Sequence, residues 1–182
     1  MGRPALINRA GVLAAALAVA DEHGLDAITM QTVAWRLGVT TMALYRHVRN
    51  KDDLLDGLVE AVLDEFPVPD ESMPWPDRLG QLAAGIRAAA HRHPHVFPLL
   101  LRGTAQIPQA RQARHTVYPA LRAAGLPASQ IPRAERLLSS AILGFAASEA
   151  AGRFAHHPPS VRDADFAFLV DTIADIIGRA AN

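Results

Sequence analysis

Cysteine is absent from all 182 residues. That excludes disulfides, a thiol nucleophile and cysteine-ligated zinc. Lysine is nearly absent too: Lys51 is the one lysine among eighteen basic residues, a compositional bias rather than a mechanism. No apolar run approaches the roughly 18 to 20 residues needed to span a bilayer, so no membrane partner is expected. The opening MGRPALINRAG holds no long apolar stretch leading to a cleavage site, and Leu6 stands where a myristoylation signal needs a hydroxyl. Alternating β-branched runs, the mark of strands, are also missing. Apolar residues are plentiful: half of the chain is hydrophobic, far from the composition of disordered proteins. A cytoplasmic protein with one large or two small domains is expected.

The formal net charge is zero, which argues at first against a polyanionic partner. The total conceals a segregation. Residues 1–51 carry six bases (Arg3, Arg9, Arg36, Arg46, Arg49 and Lys51) against three acids. Residues 52–77 carry nine acids and no base, and residues 78–182 carry twelve arginines against six acids. Local charge sets the field at a binding surface, because salt screens it beyond roughly 8 Å at physiological ionic strength. The neutral total therefore excludes little.

Alanine is abundant and apolar residues recur at three and four, so the chain reads as all-α, with about nine helices. Asn8 caps a first helix to about His23, with Leu13, Leu17 and Ala20 on one stripe and Gly24 ending it. Thr29 caps a second, Met30 to Leu37, which Gly38 breaks. A third is expected from Thr41 to Val48. Asn50 opens a fourth that runs to about Glu65, with Asp52 and Asp53 in its first turn, where carboxylates suit the helix dipole. PVPDESMPWP, Pro67 to Pro76, has four prolines in ten residues and cannot be helix interior. Further helices are expected at 77–92, 95–102, 108–124, 130–155 and 163–180, with Pro119 kinking or breaking one of them. Residues 1–50 are expected to form one domain and 51–182 another.

LGVTTMALYRHVRNKDDLL, Leu37 to Leu55, carries the most telling pattern. On a wheel at about 100° per residue, Leu44 and Val48 share one side, where Val33, Ala34 and Leu37 of the preceding helix can meet them. Met42, Tyr45, Arg46 and Arg49 fall on the other side. A solvated face seldom carries Tyr and Met, and a buried face does not carry two arginines. Two short helices joined by a glycine turn make a helix-turn-helix, whose second helix enters the major groove of DNA. Arg46 can then donate two bonds to guanine, Met42 can touch a thymine methyl, and Tyr45 can reach a base edge or a phosphate. Thr40 and Thr41 offer hydroxyls and free N–H groups to a phosphate. A plain surface helix is the alternative on geometry alone.

The segment ITMQTVAWRLGVTTMALYRHVRNKDDLLDGLVEAVL, Ile28 to Leu63, resembles the DNA-binding part of the tetracycline-repressor (TetR) family. The shared features are a Thr opening the second helix, small Ala34, Leu37-Gly38, Leu44-Tyr45, His47-Val48, Asn50-Lys51 and Leu54-Leu55-Asp56. The likeness covers about residues 6–65. It implies a three-helix DNA-binding head and a carboxyl-terminal helical domain for effector binding and dimerisation. It also implies a double-stranded DNA operator contacted by Thr29, Gln31, Thr40, Thr41, Met42, Ala43, Tyr45, Arg46, His47 and Lys51, with Lys51 on a phosphate. His47 can instead bond the backbone of the first helix. Gln31, Met42 and Arg46 stand where tetracycline repressors carry Arg, Pro and Trp, so a different operator sequence is expected. Arg3 could reach the minor groove, though a solvated terminus explains one arginine equally well.

Two half-sites are needed for tight specific binding, so a homodimer is expected. Leu137, Ala141, Gly144, Ser148 and Ala151 share one face, small enough for close approach of another helix. Phe166, Leu169, Val170, Ile173, Ile176 and Ile177 form an apolar stripe. The resemblance assigns both to a four-helix bundle between subunits; an internal core is the alternative. It places a pocket for an unknown small-molecule effector in the intervening helices, where Phe97, Leu100, Leu101, Tyr118 and Phe145 could enclose it, with Arg114 or His115 at its edge. Ordinary core explains each of these residues as well. His91, His93 and His95 are spaced i,i+2, which splays them by about 200° on a helix and fits no metal site. No cofactor is implied. The expected function is a ligand-responsive repressor; control by a protein partner, or a small helical enzyme, are the rivals. The enzyme lacks a convergent set of acid, base or nucleophile.

Overall fold

The computed structural model describes residues 7–102 and 108–181. These form eight α-helices and two short 3₁₀ turns, with no strand among the described residues. α1 (Arg9–His23) starts where Asn8 Oδ1 accepts from the Gly11 N–H at 2.8 Å. α2 (Met30–Leu37) opens on a reciprocal cap. Thr29 Oγ1 accepts from the Thr32 N–H at 3.0 Å, and Thr32 Oγ1 accepts from the Thr29 N–H at 2.9 Å. The helix stops at Gly38, whose φ of 66° and ψ of 30° would strain any side chain.

α3 is shorter than expected. Regular helix covers only Thr41–Leu44, and residues 45–47 continue as turn. The reason lies just downstream. Asn50 is extended, with φ −161°, so that its side chain can accept from the Asp53 N–H at 2.8 Å and cap α4 (Lys51–Asp64). Leu44 and Val48 nevertheless both reach the core, at 0% and 1% exposure.

α5 (Trp75–Arg92) follows the proline-rich connector. The helix expected at 95–102 is a 3₁₀ turn, Phe97–Leu101, with Pro98 in its first turn. α6 (Pro108–Ala123) runs through Pro119 as one helix, so the possible break there does not occur. α7 (Ile131–Ala150) ends short of 155. α8 (Pro159–Ala180) begins four positions before 163, with Pro159 in the first turn, where a missing N–H costs no bond.

One apolar cluster joins α1 through α4 to α5, the 3₁₀ turn, α6 and α7; Val12, Val33, Leu44, Leu58, Phe97 and Ala146 belong to it. The core therefore continues across residue 50. Smaller clusters around Leu79, Leu121 and Ile177, and around Ile142 and Phe166, pack the carboxyl-terminal helices on one another. Between α5, α7 and α8, Glu149 is buried and accepts from Arg87 at 2.6 Å and 2.7 Å. Its carboxyl is held below the usual range, chiefly by that hydrogen bond from Arg87. No helix among the described residues is long and apolar enough to cross a membrane.

Candidate nucleic-acid interface and ligand cavity

Burial of Leu44 and Val48 turns the rest of the α3 segment outward. Met42 is 73% exposed and Tyr45 50% exposed, and Gln31, Thr29, Thr40, Arg46, Arg49 and Lys51 are exposed beside them. Thr41, Ala43 and His47 are half-buried. Among the described residues neither Arg46 nor Lys51 has an ion-pair partner, whereas Arg49 lies 3.6 Å from Asp53. An apolar thioether, a phenol and free cations on one outward surface match what a base-reading and phosphate-contacting face needs. His47 meets α1 through its carbonyl, which accepts from Arg9 Nη1 at 3.1 Å, rather than through its imidazole. Arg3 lies outside the described residues.

The same region is fastened to the body. Arg9 Nη2 donates to Asp53 at 3.2 Å, so α1 holds both the turn after α3 and the start of α4. The Arg49 N–H, then the Arg9 guanidinium, keep the Asp53 carboxyl below the usual carboxylate range. At the far end of α4, buried His93 lies between the carboxylates of Asp21 (2.8 Å) and Glu65 (2.9 Å), joining α1, α4 and α5. His91 lies 3.1 Å from Glu149 and His95 is exposed, so the three histidines diverge.

A cavity of about 220 Å³ opens among α4, α5, α6, α7 and α8. Its wall is mostly aliphatic, with Leu82, Ile86, Leu138 and Ile142 representative. Leu63 and Asp64, at the end of α4, belong to the wall. So do Arg114, Glu135 and Ser139. Of the pocket residues expected from sequence, Leu100 and Arg114 are on the wall, but Phe97, Leu101, Tyr118 and Phe145 are not. Phe97 is fully buried beneath the amino-terminal helices, and Leu101 is 52% exposed. Tyr118 packs edge-on to His115, and Phe145 packs on Phe154 and Phe166. Large aromatics fill space here rather than enclose it. Glu135, Leu138, Ser139 and Ile142, which do line the cavity, recur at i, i+3, i+4 and i+7 on α7. That spacing is a one-face helical pattern readable in the sequence, one face over from the small residues of α7.

The expected dimer face also divides. Phe166 and Ile177 are buried inside the subunit, while Val170 and Ile173 line the cavity and Leu169 packs on the Phe166 cluster. The stripe they form is the inner face of α8. Its outer face carries Phe168 at 74% exposure and Ile176 at 60%, beside Leu137 of α7 at 65%. Ala141, Gly144 and Ser148 are half-buried and Ala151 is exposed; a methyl added at Gly144 would meet nothing.

Residues 12–58 match the family described as bacterial regulatory proteins of the tetR family, and residues 79–173 match the tetracyclin repressor-like carboxyl-terminal domain. An HTH-type transcriptional regulator of Saccharopolyspora erythraea is 31% identical over 149 residues, 81% of this chain and 63% of that protein. The chain spans less than two thirds of the curated relatives that head the comparison. A tetracycline-repressor variant from Acinetobacter baumannii, solved with minocycline, superposes with a TM-score of 0.81 at 28% identity, over 97% of this chain and 99% of that one. BioQ, solved with its double-stranded DNA operator, gives a TM-score of 0.77 at 24% identity, over 94% and 98% of the two chains. With both halves matched in order and the fold shared, the chain belongs to the TetR family of bacterial regulatory proteins.

Proposed function

We propose that this chain is a homodimeric, cytoplasmic transcriptional repressor that leaves a palindromic operator when a small molecule enters the cavity. The observation that carries this reading is the outward set of Met42, Tyr45 and Arg46 above a buried Leu44 and Val48. Gln31, Thr40 and Thr41 extend that surface, with Met42 and Arg46 reading bases and Lys51 gripping phosphate. Thr29, Ala43 and His47 complete the footprint at its edges. BioQ with its operator and the A. baumannii variant with minocycline support both halves of the proposal by likeness.

α4 links the two sites. It begins at Lys51 on the DNA side and ends at Leu63 and Asp64 on the cavity wall, about 20 Å away at 1.5 Å per residue. A ligand favouring one position of α4 over another would change the separation of the two recognition segments in a dimer. It acts only through its differential affinity for the two arrangements; coupling of about 1–3 kcal/mol weakens operator binding roughly 5- to 150-fold. The outer faces of α7 and α8, with Leu137, Phe168 and Ile176 exposed, supply the dimer contact. The cavity favours a small molecule over a protein partner as the controlling input. Selection of bound duplexes from a random pool tests the proposal. An enriched palindrome is expected, and recovery of unenriched sequence would overturn it.

A further inference from the structure

Two glutamates of this chain are buried, and their surroundings differ. Glu149 is enclosed by basic side chains, with Arg87 at 2.6 Å, His91 at 3.1 Å and Arg162 at 3.9 Å. Glu135 is 3% exposed, yet among the described residues no cation lies within ion-pair distance of it. Ser139, one turn along the same helix, sits near it but donates its hydroxyl to the Arg136 carbonyl at 3.4 Å, and Arg114, Arg136 and His115 act on it only from farther away. Buried carboxylates are ordinarily paired, because leaving one alone forfeits its hydration without return. Burial accordingly raises the Glu135 carboxyl above the usual carboxylate range. Unlike Glu149, Glu135 sits on the wall of the ligand cavity. Across the cavity, α6 adds a second unmet polar group: Gln109 Oε1 is buried and accepts no hydrogen bond.

We propose that the cavity takes a ligand with an apolar, ring-sized body and one protonated amine, and that the amine pairs with Glu135. The aliphatic wall receives the body. An ammonium supplies the cation that Glu149 obtains from arginine and Glu135 does not. A further N–H or O–H on the ligand would satisfy Gln109. An anionic ligand would have Arg114 in its favour but would meet Glu135 and Asp64 on the same wall. The volume of about 220 Å³ exceeds the roughly 150 Å³ that houses benzene in an engineered protein core, so a bicyclic ring with a short side arm is in scale.

This inference takes from the proposed function only that the cavity is a ligand site. Three probes sharing one ring test it: tryptamine, the neutral 3-ethylindole and the anionic indole-3-propionate. Calorimetry on the full chain is expected to show tryptamine binding at least tenfold more tightly than either analogue. Glu135→Gln should bring tryptamine down to the level of 3-ethylindole, while the melting temperature and 3-ethylindole binding stay near wild type. Preference for indole-3-propionate, an amine preference that survives Glu135→Gln, or no binding by any probe would each overturn it. Operator release is followed separately by fluorescence anisotropy of labelled DNA. Amine binding that depends on Glu135 yet leaves the operator bound would uphold the chemistry assigned to the cavity and count against ligand control.

Discussion

Arg46 and Lys51 are both exposed cations on the outward surface of the α3 segment, yet the roles proposed for them differ. Arg46 follows the base-reading positions of α3, so Arg46→Ala should cost about 1–3 kcal/mol at one base position and relax preference there. Lys51 opens α4 and is assigned to phosphate in the proposed function. Lys51→Ala should weaken all sequences alike and lower the salt slope of binding by about one. Competition titrations at several salt concentrations separate the two outcomes. Asp53 acts instead on stability. Its folded-state carboxyl is held low by the Arg49 N–H and then by Arg9. The stabilisation is therefore present above the ordinary carboxylate range and is lost as pH falls through the lowered value. Asp53→Asn should be less stable than wild type near neutrality, and the difference should shrink in acid, as read by urea unfolding across pH. Most of the outward residues of this surface could be identified without coordinates, because outward direction follows from helical spacing next to two apolar anchors. The cavity residues could not, since enclosure depends on which helices converge.

Among elements, two glycines leave room for a side chain of a neighbouring segment, one from a helix and one from the proline-rich connector. A methyl added at Gly57 of α4 would run into Leu13 of α1, and one added at Gly85 of α5 would run into the ring of Pro67. Alanine gains helix propensity over glycine by up to about 1 kcal/mol. Leu13 ends in a flexible side chain that can rotate away; the Pro67 ring cannot. Gly85→Ala should therefore destabilise by about 1–3 kcal/mol, and Gly57→Ala by less, in equilibrium unfolding. Elements whose caps are local came out as read: Asn8, Thr29 and Asn50 each bond a backbone N–H three residues on. α3 is shorter than its periodicity predicts because its length is limited by the cap of the next helix, and α6 continues through Pro119 where a break was one of the two outcomes expected.

For the whole molecule, α8 decides what the surface offers to another copy. Phe166 and Phe168 are two residues apart, but one is 7% exposed and the other 74%. Phe168→Asp should abolish dimerisation in sedimentation experiments and leave a folded monomer, because this side chain adds nothing to its own subunit's core. Phe166→Asp should unfold the chain instead, since it places a charge against Ile142 and Phe145. Operator affinity should fall steeply in the Phe168 variant, as a single head retains only one half-site.

Residue order alone determined the all-helical class, the capped amino-terminal helices, the glycine turn and the outward recognition surface, because each rests on interactions within a few positions. The resemblance of Ile28 to Leu63 to a known family rested on the same local pattern. Only the tertiary structure decided which side of α8 turns inward, which aromatics fill core instead of bounding a cavity, and that Glu135 is a buried acid lacking the arginine that Glu149 has. Those outcomes depend on helices distant in sequence competing for the same space, and periodicity shows that a face is apolar without showing what will cover it.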